Sequence, residues 1–207
     1  MERRSRQGKA LDQRLKQRMS QHPIRITCFG DSLTEGYGLH DNEALPVVLE
    51  QMLRDEGLNV TCLNHGVSGD TAGDGLARIQ NVLNAKPDAA IVEFGANDTF
   101  VGELVTTTRA NFIAIIETLL GNDIPILLIG ITALTDMDDD YKAEFDPIFM
   151  ELAVKYDLPL FPDILSCYFG NSMMTLMDGM HPNDQGVRAI ARGILPQAKE
   201  LAQKVTL

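Results

Sequence analysis

Five short runs of consecutive apolar and β-branched residues punctuate the chain: IRITCF (24–29), NVTCLN (59–64), AAIVEF (89–94), PILLIGIT (125–132) and LPLF (158–161). Between them lie longer stretches, near 43–56, 72–84, 105–120, 140–156 and 184–203, in which apolar residues recur at helical spacing. Runs that stay apolar instead of alternating belong to strands buried on both faces, and single helices between them make the sheet parallel. The pattern predicts an α/β fold, a three-layer doubly wound sandwich around a central five-stranded parallel sheet. No linker, repeat or low-complexity segment interrupts it, so 23–207 is expected to form one domain. Ligands of such sheets bind beyond the carboxyl ends of the strands, where the strand order reverses, and the polar stretches after each strand are the places to look.

Charge adds a second division. The 207 residues carry a net charge of -11, yet residues 1–22 hold seven basic and two acidic residues, leaving 11 and 27 for the remainder. So acidic a body does not suit phosphate backbones, and no nucleic-acid partner is expected. The basic head lacks the apolar core of a secretory signal, which favours the cytoplasm. Leu11, Leu15 and Met19 would give it a narrow apolar stripe, so 1–22 is expected to be a helical N-terminal extension. No apolar run approaches the roughly 20 residues of a membrane span. Cys28, Cys62 and Cys167 have no metal-ligand spacing, and the first two fall in strand-like runs where a thiol behaves as a small hydrophobe.

The chemistry gathers in four strand-end stretches: Gly30-Asp31-Ser32-Leu33, His65 to Thr71 (HGVSGDT), Gly95-Ala96-Asn97-Asp98, and Asp178-Gly179-Met180-His181-Pro182-Asn183 ahead of the last helix. An aspartate three residues before a histidine on a turn can take the imidazole Nδ1–H, leaving Nε2 free to accept a proton from a hydroxyl. With Ser32 brought near, nucleophile, base and orienter follow in the order Ser32, Asp178, His181. Each residue also has a plainer reading. Ser32 could cap a helix, Gly69 could serve a turn, Asn97 could bond its own backbone, and Asp178 and His181 could lie on the surface before a helix.

Together the four stretches resemble the SGNH (GDSL-type) hydrolases. The fuller runs GDSLTEGYG, GVSGDT, GAND and DGMHPN are most similar to the bacterial thioesterase I, lysophospholipase L1 and arylesterase branch, over about residues 24–200. The resemblance implies a flavodoxin-like sheet, Ser32 as nucleophile, His181 as general base and Asp178 as its orienter. It implies an oxyanion hole made of the Ser32 and Gly69 amides and the Asn97 side chain. Ala96 stands where the family usually has glycine, a departure that adds one methyl beside the oxyanion donor. The expected substrate is a small ester or thioester with an apolar acyl or aryl group, and no metal or cofactor is needed. The resemblance also admits a periplasmic or exported location.

Four methionines, Met173, Met174, Met177 and Met180, crowd the segment before His181. Thioethers suit irregular apolar ligands, so Met173, Met174 and Met177 are expected to contact the acyl or aryl group, with ordinary core packing as the plainer reading. Asp31 is expected to brace the nucleophile turn, Glu93 to be a hydrogen-bonded carboxylate supporting a loop, and His40 and His65 to be structural. Two rival readings are a metal-dependent phosphoesterase, which treats the Gly-Asp and Asn-Asp pairs and the late histidine as hard-metal ligands, and a non-catalytic binding module on the same fold.

Overall fold

Strands β1 (Ile24–Gly30), β3 (Ala89–Glu93) and β4 (Ile126–Ile129) are buried almost throughout, and this is why their sequences read as unbroken apolar runs. They form the middle of a sheet whose edges are β2 (Val60–Gly66) and β5 (Leu160–Phe161), both only partly buried. This is a computed structural model, and it describes residues 22–134 and 137–205. Apart from His22, the basic extension expected at 1–22 lies outside the described residues.

The strand order is β2-β1-β3-β4-β5 and every pairing is parallel. From β1 the chain goes to β2 on one side and then returns to β3 on the other, so the order reverses between β1 and β3 and opens a crevice beyond their carboxyl ends. On one side of the sheet α2 (Leu45–Asp55) packs on α9 (Asp184–Val205), which also covers β1, β3, β4 and β5; α3 (Ala72–Ala77) packs on α6 (Val105–Leu120). Helix α6 buries Val105, Thr108, Phe112, Ile115, Ile116 and Leu119, the three- and four-residue spacing of one face.

Four details depart from the sequence pattern. The segment 72–84 is two helices, α3 and α4 (Ile79–Asn84), broken at Arg78. The segment 140–156 is likewise divided into α7 (Asp139–Phe145) and α8 (Ile148–Tyr156), because Pro147 has no amide hydrogen to continue the ladder. Two short helices, α1 (Ser32–Glu35) and α5 (Ala96–Val101), follow β1 and β3 directly.

Where β1 ends, the packing is too close for a side chain. A Cβ on Gly30 would collide with Thr34 Oγ1 and with the Glu93 carbonyl 2.5 Å away. Below this point two carboxyl groups are buried together. Asp31 Oδ1 accepts the Leu33 N–H at 3.0 Å and caps α1, while Glu93 Oε2 accepts the Thr34 hydroxyl at 2.8 Å and, at the long distance of 3.4 Å, the Asp31 N–H. Among the described residues Glu93 Oε1 has no partner. Burial pushes Glu93 up to about 7; burial and then the neighbouring Glu93 charge push Asp31 well above the usual carboxylate range.

Because Glu93 binds its proton more tightly in the folded than in the unfolded chain, its contribution to stability is full below about pH 4.5 and is lost as pH rises through about 7. The loss amounts to at most about 3 kcal/mol. Glu93→Gln, which cannot ionise, should therefore melt progressively higher relative to wild type as pH is raised from 5 to 8. A difference in Tm that stays constant over that interval would show that Glu93 carries no such proton.

Candidate active site

Ser32 begins α1 at the carboxyl end of β1, and it is Asp31, not Ser32, that caps the helix. The serine hydroxyl is thereby left to other partners. His181 approaches from a loop that is folded tightly ahead of α9: Thr175 and Pro182 form an antiparallel bridge, the Leu176 N–H donates to the His181 carbonyl at 2.8 Å, and Asn183 Oδ1 accepts the Gln185 and Gly186 N–H groups at the helix start. The Tyr168 hydroxyl, donating to the Met180 carbonyl at 3.0 Å, ties this loop to the 3₁₀ turn Leu165–Cys167.

The result is a chain of three side chains. Ser32 Oγ lies 3.1 Å from His181 Nε2, and His181 Nδ1 lies 2.7 Å from Asp178 Oδ2. The other Asp178 oxygen accepts the Met180 and His181 N–H groups at 2.9 and 3.0 Å. Partial burial alone would raise the Asp178 carboxyl; the Met180 amide, the imidazole and the His181 amide outweigh it and hold the group below its usual range. An ionised Asp178 keeps the proton of His181 on Nδ1 and turns a bare Nε2 toward Ser32. The ring of Tyr37 lies against the imidazole with centroids 4.4 Å apart. Asp31 does not compete for the imidazole, since its carboxylate is taken by Leu33 and Asn97.

Gly69 and Asn97 come to the same place from β2 and β3. Gly69 has φ +88°, a conformation that favours glycine, and its amide donates to no acceptor among the described residues. It is flanked by Ser68, whose amide and hydroxyl both donate to Glu35 of α1, and by Asp70, whose carboxylate meets the Arg78 guanidinium. Asn97, in the first turn of α5, sends its Nδ2 hydrogens to the Asp70 carbonyl at 2.9 Å and to Asp31 Oδ2 at 3.2 Å. Next to it, buried Asp98 accepts the Ala72 N–H and the Thr108 hydroxyl, so α3, α5 and α6 are joined under the loop.

These groups line a cavity of about 290 Å³ walled by Leu33, Tyr37, Ala96, Phe100, Leu134, Leu165, Tyr168, Phe169 and Met180, with Ser32, Ser68, Gly69, Asn97 and His181 as its polar floor. The methionine wall expected at Met173, Met174 and Met177 is not part of it. Met173 and Met177 are 70% and 107% exposed, and Met174 packs against the core; of the four only Met180, next to His181, reaches the cavity. The segment is a series of turns, so its methionines share no common face. The ring of His65 is bonded to the Thr27 hydroxyl at 2.7 Å, and burial followed by the Arg78 charge lowers its pKa. The sequence offers little that marks Arg78, Phe100 or Leu134; Tyr37 lies within the GDSLTEGYG run, whose spacing gives it no role of its own.

Residues 28–189 match the model of the GDSL-like Lipase/Acylhydrolase family. The chain is 29% identical over 188 residues to an arylesterase of Vibrio mimicus, spanning 89% of this chain and 91% of that one. It is 28% identical over 177 residues to thioesterase 1/protease 1/lysophospholipase L1 of Escherichia coli (strain K12), with 85% and 84% covered. The crystal structure of AlinE4, an SGNH-hydrolase family esterase, superposes with a TM-score of 0.74 at 39% identity, covering 86% of this chain and 96% of that one. A match across most of the chain, with the same fold beneath it, makes this protein a member of the GDSL-like lipase/acylhydrolase family.

Proposed function

We propose that the protein hydrolyses carboxylic esters or thioesters with an apolar acyl or aryl group, through an acyl-enzyme formed on Ser32. The observation that carries this reading is the hydrogen-bonded chain Ser32, His181, Asp178 at the floor of a mostly apolar cavity. Ser32 Oγ attacks the carbonyl carbon while its proton passes to His181 Nε2. The tetrahedral oxyanion takes the Ser32 and Gly69 amides and one Asn97 hydrogen. Asn97 is donating to two acceptors already, and the longer of its bonds, 3.2 Å to Asp31, is the one the oxyanion replaces while the Asp70 carbonyl keeps the amide aimed. His181 returns the proton to the departing alkoxide or thiolate. Water, deprotonated by His181, then attacks the acyl-enzyme and releases the acid.

The buried pair below Ser32 assists by its charge. A proton retained by Asp31 and Glu93 together keeps two full negative charges from standing under a developing oxyanion, where little water screens them. Aryl, acyl and thioester substrates share the reacting carbonyl and differ in the group that fills the cavity, and the arylesterase and thioesterase names of the relatives fit that breadth.

Removing the nucleophile, Ser32→Ala, should abolish both p-nitrophenyl butyrate turnover and covalent labelling by a fluorophosphonate. Asn97→Ala should lower kcat about 10²- to 10³-fold with little change in KM. Turnover by Ser32→Ala equal to wild type would overturn the serine mechanism.

Specificity gives an independent test. Phe169→Ala and Leu134→Ala alter the cavity wall, and each should change the ratio of kcat/KM between C8 and C2 p-nitrophenyl esters by about tenfold, the effect of one or two buried methylenes. Met173→Ser and Met177→Ser, both outside the cavity, should leave that ratio unchanged. The opposite ranking would place the apolar group on the methionine segment instead.

A further inference from the structure

Arg78 stands at the break between α3 and α4 and belongs to neither helix. Its guanidinium lies 4.8 Å from the centroid of the Phe29 ring and 5.9 Å from that of Phe94, and its side chain is 18% exposed. From this aromatic floor three of its N–H groups leave in different directions. Nε donates to Asp70 Oδ2 at 2.5 Å, Nη1 to the His65 carbonyl at 2.8 Å, and Nη2 to the Gly30 carbonyl at 2.9 Å. Gly30 lies two residues before Ser32, His65 lies near the end of β2, and Asp70 adjoins Gly69 and supplies the carbonyl that holds the Asn97 amide.

We infer that Arg78 is the positioning residue of the oxyanion hole: one planar cation that sets the Ser32, Gly69 and Asn97 donors relative to one another without touching the substrate. The inference rests on the reading of Ser32 as nucleophile given above. The three donors come from loops after three different strands, and their relative aim has to be accurate, because a displacement of about 1 Å can cost 10²-fold in rate. Backbone carbonyls at the ends of β1 and β2 and a carboxylate in the loop after β2 are acceptors that a rigid fork of donors can join and a point charge cannot, and the third donor, Asn97, is reached through the Asp70 carbonyl. The loop of Gly69 has a separate anchor, Ser68 on Glu35, and buried Asp98 independently holds the start of α3. Loss of Arg78 therefore removes the aim of the loop and leaves its other ties in place.

The test uses the full chain with Arg78→Met, Arg78→Lys and Asp70→Ala, each alone, and Arg78→Met also combined with Asn97→Ala, with kcat, KM and Tm measured for all. Arg78→Met should lower kcat for p-nitrophenyl butyrate on the order of 10²-fold with KM within about threefold of wild type. Arg78→Lys should recover less than a tenth of the lost rate, since an ammonium cannot span the three acceptors. In the Asn97→Ala background Arg78→Met should cost less than about tenfold, because part of what it positions is already gone. Losses that multiply in full, a loss confined to KM, or an unchanged kcat would each overturn the proposal. If Arg78→Met does not fold, Asp70→Ala decides, for it leaves both carbonyl bonds of Arg78 intact: a fall in kcat of at least about tenfold is expected, and wild-type kcat overturns it. Ser32→Ala measured alongside separates the two readings. If it is inactive while Arg78→Met turns over normally, only the role of Arg78 falls; if it remains active, the serine mechanism itself falls.

Discussion

Three parallel strands finish inside the protein, and the polar backbone at their carboxyl ends has to find partners away from the sheet. A buried carbonyl or amide left unpaired costs roughly 1–3 kcal/mol, so such groups are met almost without exception. Here the solutions interlock: the Gly30 carbonyl accepts both Val67 N–H and Arg78, the Asp31 carboxylate receives the Leu33 amide, and Asp98 receives Ala72. The loops cannot be arranged one at a time. The same web that satisfies the strand ends brings Ser32, Gly69 and Asn97 to one cavity floor.

That dependence also explains the unusual company under Ser32. Asp31 and Glu93 are nearly inaccessible to water, and their mutual repulsion opposes a second negative charge. An apolar pair of the same size would bury more easily, yet it would offer nothing to the Leu33 amide, the Thr34 hydroxyl or the Asn97 side chain. The protein thus accepts a polar pair with restricted ionisation in exchange for a fixed turn. Its stability then responds to the protons of this pair.

Much of the fold is legible in the sequence because β1, β3 and β4 are covered on both faces, and the amphipathic spacing of α6 and α9 is set by equally local rules. Helices α1 and α5, four and six residues long, are too short to show a period; what defines them is the Asp31 cap and the left-handed Gly95. Asp178 and His181 can be paired from sequence since they are three residues apart on one turn. Arg78 leaves no such trace. Its acceptors lie 8, 13 and 48 residues away, and two of them are main-chain carbonyls, which any residue type supplies. The exposure of Met173 and Met177 is hidden for a related reason: a run of turns has no periodicity from which an inward face could be read.

Ser32 and His181 are separated by 149 residues, and the loop that carries the imidazole is held in place by α9 behind it and by Tyr168 beside it. Contacts that distant in sequence close late, after the shorter-range pairs of the sheet have paid the entropy of ordering the intervening chain. During synthesis the amino-terminal strands emerge long before the segment around His181 exists. A partly made chain can therefore display Ser32 on a nearly complete sheet with no imidazole beside it. On the proposed serine mechanism hydrolysis begins only when His181 has closed on Ser32, which makes esterase turnover a direct reporter of that late contact.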